Sequence, residues 1–148
     1  MTPTDTTPRK QYETLSFEVD LRHPPEKVWR ALTDPELMSE WLMPVVDFGL
    51  APGTAFNLMA PPQPGWDGIV NCRILEVEAH RTLRYTWATG EMELDTVVTF
   101  TLVPTESGTH LKIEQSGFKP DQKRAFGGAR YGWRMMSTRL VEVIERLG

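Results

Sequence analysis

A chain of 148 residues with 40% hydrophobic and 24% charged residues suits one domain of ordinary size with a real core. Its net charge of −4 argues against a nucleic-acid binder, whose footprint is basic, and no apolar run approaches the ~20 residues needed to cross a bilayer. The lone Cys72 can form no internal disulfide, which fits a reducing cytoplasm.

The opening MTPTDTTPRK lacks the apolar core of a secretory signal, so residues 1–11 are expected to be a flexible polar tail and residues 12–148 a single domain. Residues 13–21 alternate, with Leu15, Phe17, Val19 and Leu21 on one face, as in a half-buried strand. Pro24 and Pro25 end it and open a short helix to about Leu32 with Val28, Trp29 and Leu32 facing inward. Asp34-Pro35-Glu36 is a second helix start, an Asp N-cap with an acid at the positive end of the dipole. Leu37, Met38, Trp41 and Leu42 follow at helical spacing.

From 45 to 117 the texture is strands and turns. Strands are expected at Ala55–Met59, Ile69–Val77, Leu83–Trp87, Met92–Val103 and His110–Gly117, separated by proline- and glycine-bearing turns. Leu83–Trp87 alternates strictly and Met92–Val103 puts Leu94, Thr96, Val98, Phe100 and Leu102 on one face, whereas Ile69–Val77 carries apolar residues on both parities and leaves its inward set open. Short turns make an antiparallel meander the economical topology. After Pro120-Asp121 comes one long helix in two unlike halves. The first holds Gly127, Gly128, Tyr131, Gly132 and Trp133, and the second is a plain amphipathic run of Met136, Leu140, Val143, Ile144 and Leu147. Gly128 and Gly132 share a helical face, and each costs ~1 kcal/mol relative to Ala. Close backbone packing or room for a ligand must offset that cost.

The stretches PPEKVWRALTDPELMSEWL, LAPGTAFNLMA, ILEVEAHRTLRYTW, VTFTLVPTESGTHLKIEQSGF and YGWRMMSTRLVEVIERL, in that order, resemble the START/SRPBCC superfamily, with its helix-grip, Bet v 1-like fold. Within it, the chain is similar to the group related to the C-terminal domain of heat-shock-protein-90 ATPase activators. The resemblance implies an α+β fold. A curved antiparallel sheet of about six to seven strands would grip a long C-terminal α-helix, with two short helices after the first strand. It also implies a cavity between the sheet and that helix. Trp41, Phe56, Leu58, Trp66, Trp87, Met92, Val98, Tyr131 and Met135 are the expected ligand-binding residues, with Met43 beside them.

Polar groups on the expected inner faces are few. Thr96, Gln115, Asn71 and Arg73 could orient a ligand's polar end or satisfy one another. Glu91, Glu93 and Asp95 share the opposite, solvated face of their strand. His23, His80 and His110 have no metal-ligating neighbours at the right spacing, and Cys72 has no activating context. No cofactor, metal site or catalytic residue is expected. Lys119, Lys123, Arg124, Arg130, Arg134 and Arg139 face only Asp121 across their span, as the solvated side of a helix or a basic pocket mouth.

The leading expectation is a cytoplasmic protein that binds or senses an apolar or aromatic small molecule, with no nucleic-acid or membrane partner and a homodimer left open. The alternatives are a protein-interaction module of the chaperone-activator kind and a cyclase- or hydratase-like enzyme, for which Arg73 is the nearest titratable candidate. The activators join this domain to a separate N-terminal one, which argues against a chaperone partner here. Residues 61–68 form either a lid over the pocket or a rigid hairpin connection.

Overall fold

A computed structural model describes residues 1–8, 13–90 and 94–147. The elements in chain order are β1 (Thr4–Asp5), β2 (Thr14–Leu21), α1 (Pro25–Thr33), α2 (Pro35–Trp41), β3 (Val45–Val46), β4 (Ala55–Met59), β5 (Ile69–Glu78), β6 (Thr82–Thr89), β7 (Leu94–Pro104), β8 (Thr109–Ser116) and α3 (Lys123–Arg146). The strands form one curved, unclosed antiparallel sheet in the order β1-β2-β8-β7-β6-β5-β4-β3. It has 8 strands, against the six to seven expected. The additions include the two-residue pieces β1 and β3, too short to carry an alternation signal.

The helix pair forms where the sequence signals it. Asp34 ends α1 and caps α2, its carboxylate accepting the Glu36 N–H at 3.0 Å, with Pro35 in the first turn. Strand alternation sets the core. Leu15, Phe17, Val19 and Leu21 on β2 lie buried, as do Leu83, Tyr85 and Trp87 on β6 and Leu94, Val98, Phe100 and Leu102 on β7. The double parity of β5 has a local cause. The register slips by one between Ile74 and Glu76, so Leu75 is an extra, exposed residue. Before this bulge Val70, Cys72 and Ile74 point inward; after it, Val77 packs against the core.

The second half of α3 closes the core through Leu140, Val141, Val143 and Ile144. The described part of the N-terminal segment packs on β2 and on α3. Thr4 pairs with Glu18 and Asp5 with Phe17, and the Asp5 carboxylate meets Arg130 at 2.5 Å and Arg134 at 3.8 Å on α3. Burial works to raise the Asp5 pKa, but hydrogen bonds from Arg130 and Thr7 outweigh it and hold the carboxyl below its usual range. Among the described residues no helix is long and apolar enough to cross a membrane.

Candidate functional site: a cavity under the first half of α3

The two halves of α3 bury very different amounts of surface. In the first turns only Phe126 is fully buried, against Phe118, whereas Trp133, Ser137 and the aliphatic run beyond are enclosed. Under the thinly packed half lies a cavity of about 860 Å³. Its sheet wall is Val70, Trp87, Thr89, Leu94 and Gln115. Leu42 and Met43 lie at one side, and the β4–β5 connection adds Ala60, Pro61, Gln63 and Trp66.

The α3 wall is made of small residues. Ala125, Gly128, Ala129 and Gly132 follow the i, i+3, i+4, i+7 spacing of a single helical face, and all line the cavity. A methyl group added at Gly128 would meet nothing within 4 Å, and one at Gly132 only the Met136 methyl at 3.8 Å. Close backbone packing therefore does not explain these glycines. What they leave open is cavity volume.

The expected binding residues divide into two groups. Trp66, Trp87, Tyr131 and Met135 line the cavity, Tyr131 and Met135 as exposed rim residues. Trp41, Phe56, Leu58 and Val98 do not line it; they lie deeper in the core. Trp41 donates its indole N–H to Ala31 O at 2.9 Å, and its ring lies 6.1 Å from Phe100 and 6.5 Å from Trp133. Phe56 sits edge-on between Phe48 and Tyr85 at 5.0 and 5.1 Å. Around these residues other core side chains fill the space. Met92, Glu91 and Glu93 lie outside the described residues. Leu42, Val70, Thr89 and Leu94 were not expected in the lining, nor were Ala125 and Ala129, although Gly128 and Gly132 were read as possible room for a ligand and the spacing of 125, 128, 129 and 132 extends that signal.

The connection over the cavity edge is a tight hairpin. Gln63 and Trp66 exchange two backbone hydrogen bonds at 2.9 Å around Pro64-Gly65, and Ala60 N–H reaches Gly68 O at 2.7 Å. Gly68 has φ +83, and a Cβ there would fall 2.1 Å from Ala60 O, so only glycine fits. The Trp66 indole N–H is held by Ile69 O at 3.1 Å.

Behind the wall runs a buried polar chain. Trp133 Nε1 donates to Gln115 Oε1 at 2.7 Å, Gln115 Nε2 donates to Thr96 Oγ1 at 2.9 Å, and Thr96 Oγ1 donates to Trp87 O at 2.8 Å. Thr96 and Gln115 thus satisfy one another, and in doing so they fix Trp87 and Trp133, whose rings lie 5.6 Å apart. Asn57 donates to Asn71 on the exposed face, and Arg73 reaches Gly53 O at 3.0 Å, so neither belongs to the cavity.

Ionisable groups near the lining are few. Burial pushes the Cys72 thiol up to about 12, and burial followed by the nearby Cys72 keeps Tyr85 a neutral phenol. Asp121, Arg124 and Arg139 line the cavity from exposed positions. The basic cluster is therefore divided: Arg130 and Arg134 meet Asp5, whereas Arg124 and Arg139 flank the opening. His23 contacts Lys27 and His80 packs edge-on against Trp29. Among the described residues, no group of three His, Cys, Asp or Glu could hold a metal ion.

A helix-grip domain with this cavity fits what comparison with known proteins finds. Residues 22–145 match the family described as activator of Hsp90 ATPase homolog 1-like protein, and the chain belongs to that family. Among solved structures, it is similar to protein MLL2253 from Mesorhizobium loti, at 47% identity over 91% of this chain and 98% of that one, with a TM-score of 0.83. It also resembles protein BH1534 from Bacillus halodurans, at 28% identity over 97% and 99% of the two chains, TM-score 0.73. Protein CV1439 from Chromobacterium violaceum gives 26% identity over 90% and 98%, TM-score 0.73. No curated protein matches the chain.

Proposed function

We propose that this protein binds or senses a small apolar or aromatic molecule in the cavity between its sheet and the first half of α3. The carrying observation is the cavity of about 860 Å³ beneath glycines beside which an added methyl group would fit without a clash. Its size lies in the range of small-molecule sites, roughly 300–1,000 Å³, and such sites are mostly apolar with few polar groups. Trp66, Trp87, Trp133, Met43, Met135 and Met136 supply that character, and the methionines can adapt to a ligand's outline.

Two other readings gain less support. A protein-docking role would suit exposed Tyr131 and Met135 if the surface behind them were solid, but they stand at the rim of the cavity. An enzyme using the cavity would want a titratable side chain held inside it. Among the described lining residues every charged group is exposed, and Arg73 points elsewhere. A reducing cytoplasm suits the lone buried thiol of Cys72.

The test is native mass spectrometry of protein purified from its own host, with organic extraction of whatever is retained. A co-purified apolar molecule that raises the melting temperature on re-addition is the expected result. An empty chain, with no stabilisation across a broad library of hydrophobic compounds, would overturn the reading.

A further inference from the structure

Thr89 is 2% exposed and lines the cavity, and its hydroxyl has no hydrogen-bond partner among the described residues. Buried hydroxyls are normally paired, and an unpaired one is costly. The neighbouring polar groups give no relief. The indole of Trp133 can only donate, so Gln115 must present its oxygen there and its NH₂ to Thr96, whose own proton is held by Trp87 O. Thr89 makes no hydrogen bond to this chain. Its hydroxyl can both donate and accept; the oxygen itself is buried, and a staggered turn about Cα–Cβ is the movement that would present it to a ligand.

Resting on the cavity reading above, we propose that the ligand is a largely apolar ring system carrying one uncharged hydrogen-bonding group, a hydroxyl or carbonyl, which pairs with Thr89. The preference for a ring system follows from the aromatic lining. The indoles of Trp87 on β6 and Trp133 on α3, 5.6 Å apart and tilted 49° to each other, line the cavity together with the side-chain-poor positions Ala125, Gly128, Ala129 and Gly132. The absence of charge follows from the surroundings of Thr89. The charged lining residues, Asp121, Arg124 and Arg139, are all exposed, and an ion buried without a partner is strongly disfavoured.

The test compares pyrene with 1-hydroxypyrene as probes, titrated by tryptophan quenching at a pH where the phenol is neutral. In the wild type 1-hydroxypyrene should bind more tightly. Thr89→Val keeps the side-chain shape and removes the hydroxyl, and it should cut the preference for the hydroxylated probe about five- to tenfold. Thr89→Ser should retain the preference, and Thr89→Ala should lose it as the valine variant does. If T89V and T89A bind both probes with the wild-type preference, the Thr89 assignment is overturned while the cavity reading stands. If the wild type binds neither probe, the cavity reading itself fails and takes this inference with it.

Discussion

Trp133 on α3 and Gln115 on β8 meet through a 2.7 Å hydrogen bond in a region where both residues are only 1% exposed. This contact ties the closing helix to the sheet at the boundary between its two halves. Toward the C-terminus the helix packs tightly on the core; toward the N-terminus it spans the cavity. The bond therefore anchors the last fixed point of the cavity roof.

Replacing Gln115 by Leu should destabilise the protein by about 2–3 kcal/mol, because the Trp133 indole N–H would be left buried and unpaired and Thr96 would lose its donor. Urea unfolding followed by circular dichroism should show a lower midpoint with an unchanged slope. An unchanged midpoint would mean that Trp133 finds another partner.

Alternation and capping made the fold legible: β2, β6, β7 and β8 bury the parity their apolar residues mark, and Asp34-Pro35 starts α2 as its composition signals. Two-residue edge strands were beyond reach, since they have no period, and the bulge at Leu75 scrambled the parity of β5. The cavity was harder to read. Trp41 and Trp87 look alike in sequence, yet one is covered by Phe100, Ala31 and Trp133 and the other faces open space. Which aromatic is covered depends on how α2, α3 and the sheet pack together, a tertiary fact that local pattern does not encode. Thr89 stands at the end of β6 beside a turn, where local pattern carries no sign of a cavity.

Gly128→Ala and Gly132→Ala should move stability and binding in opposite directions. Both methyl groups fit, and each should stabilise the helix by up to ~1 kcal/mol. Both also project into the cavity, so a ligand that fills it should bind more weakly to the double variant. Melting curves and titrations on the same preparation check this. A double variant that gains stability and keeps wild-type affinity would show that the ligand does not use the space over these glycines.

Cys72 should behave as an inert packing residue. Its thiol is 4% exposed, and burial pushes its pKa up to about 12, so almost no thiolate forms near neutrality. A disulfide-exchange reagent should leave native protein unmodified and react with one thiol per chain in denaturant. Rapid labelling of native protein would indicate that β5 opens readily.

Asp5 should matter more than its place near the chain start suggests. Its carboxylate is 17% exposed and receives Arg130 and Arg134, so Asp5→Asn removes a partly buried ion pair that fastens β1 to α3. The expected loss is about 1 kcal/mol, at the upper end for pairs of this exposure. Hydrogen exchange should quicken in β1 and in the first half of α3 and stay unchanged in β7. Uniform protection in the variant would mean that backbone pairing alone holds the segment.

His110 should give the stability curve a definite pH dependence. Its Nδ1 lies 2.8 Å from Asp20 and its Nε2 2.9 Å from Glu18, across the β2–β8 pairing. Hydrogen bonds to Asp20 and then Glu18 raise the histidine pKa above 6.5, outweighing its partial burial. The hydrogen bond from His110 is the largest cause lowering Glu18 below 4.5, with smaller help from Thr6 and Lys112. The histidine's contribution is complete below 6.5 and fades as pH rises through its raised folded value. The Glu18 contribution is complete above 4.5 and fades as pH falls through its lowered folded value. The pair therefore stabilises most between these limits. The melting-temperature difference between wild type and His110→Gln should be larger near pH 5.5 than near pH 8.5. Because these side chains are partly exposed, the difference should also shrink in high salt. A difference independent of pH would assign His110 a packing role only.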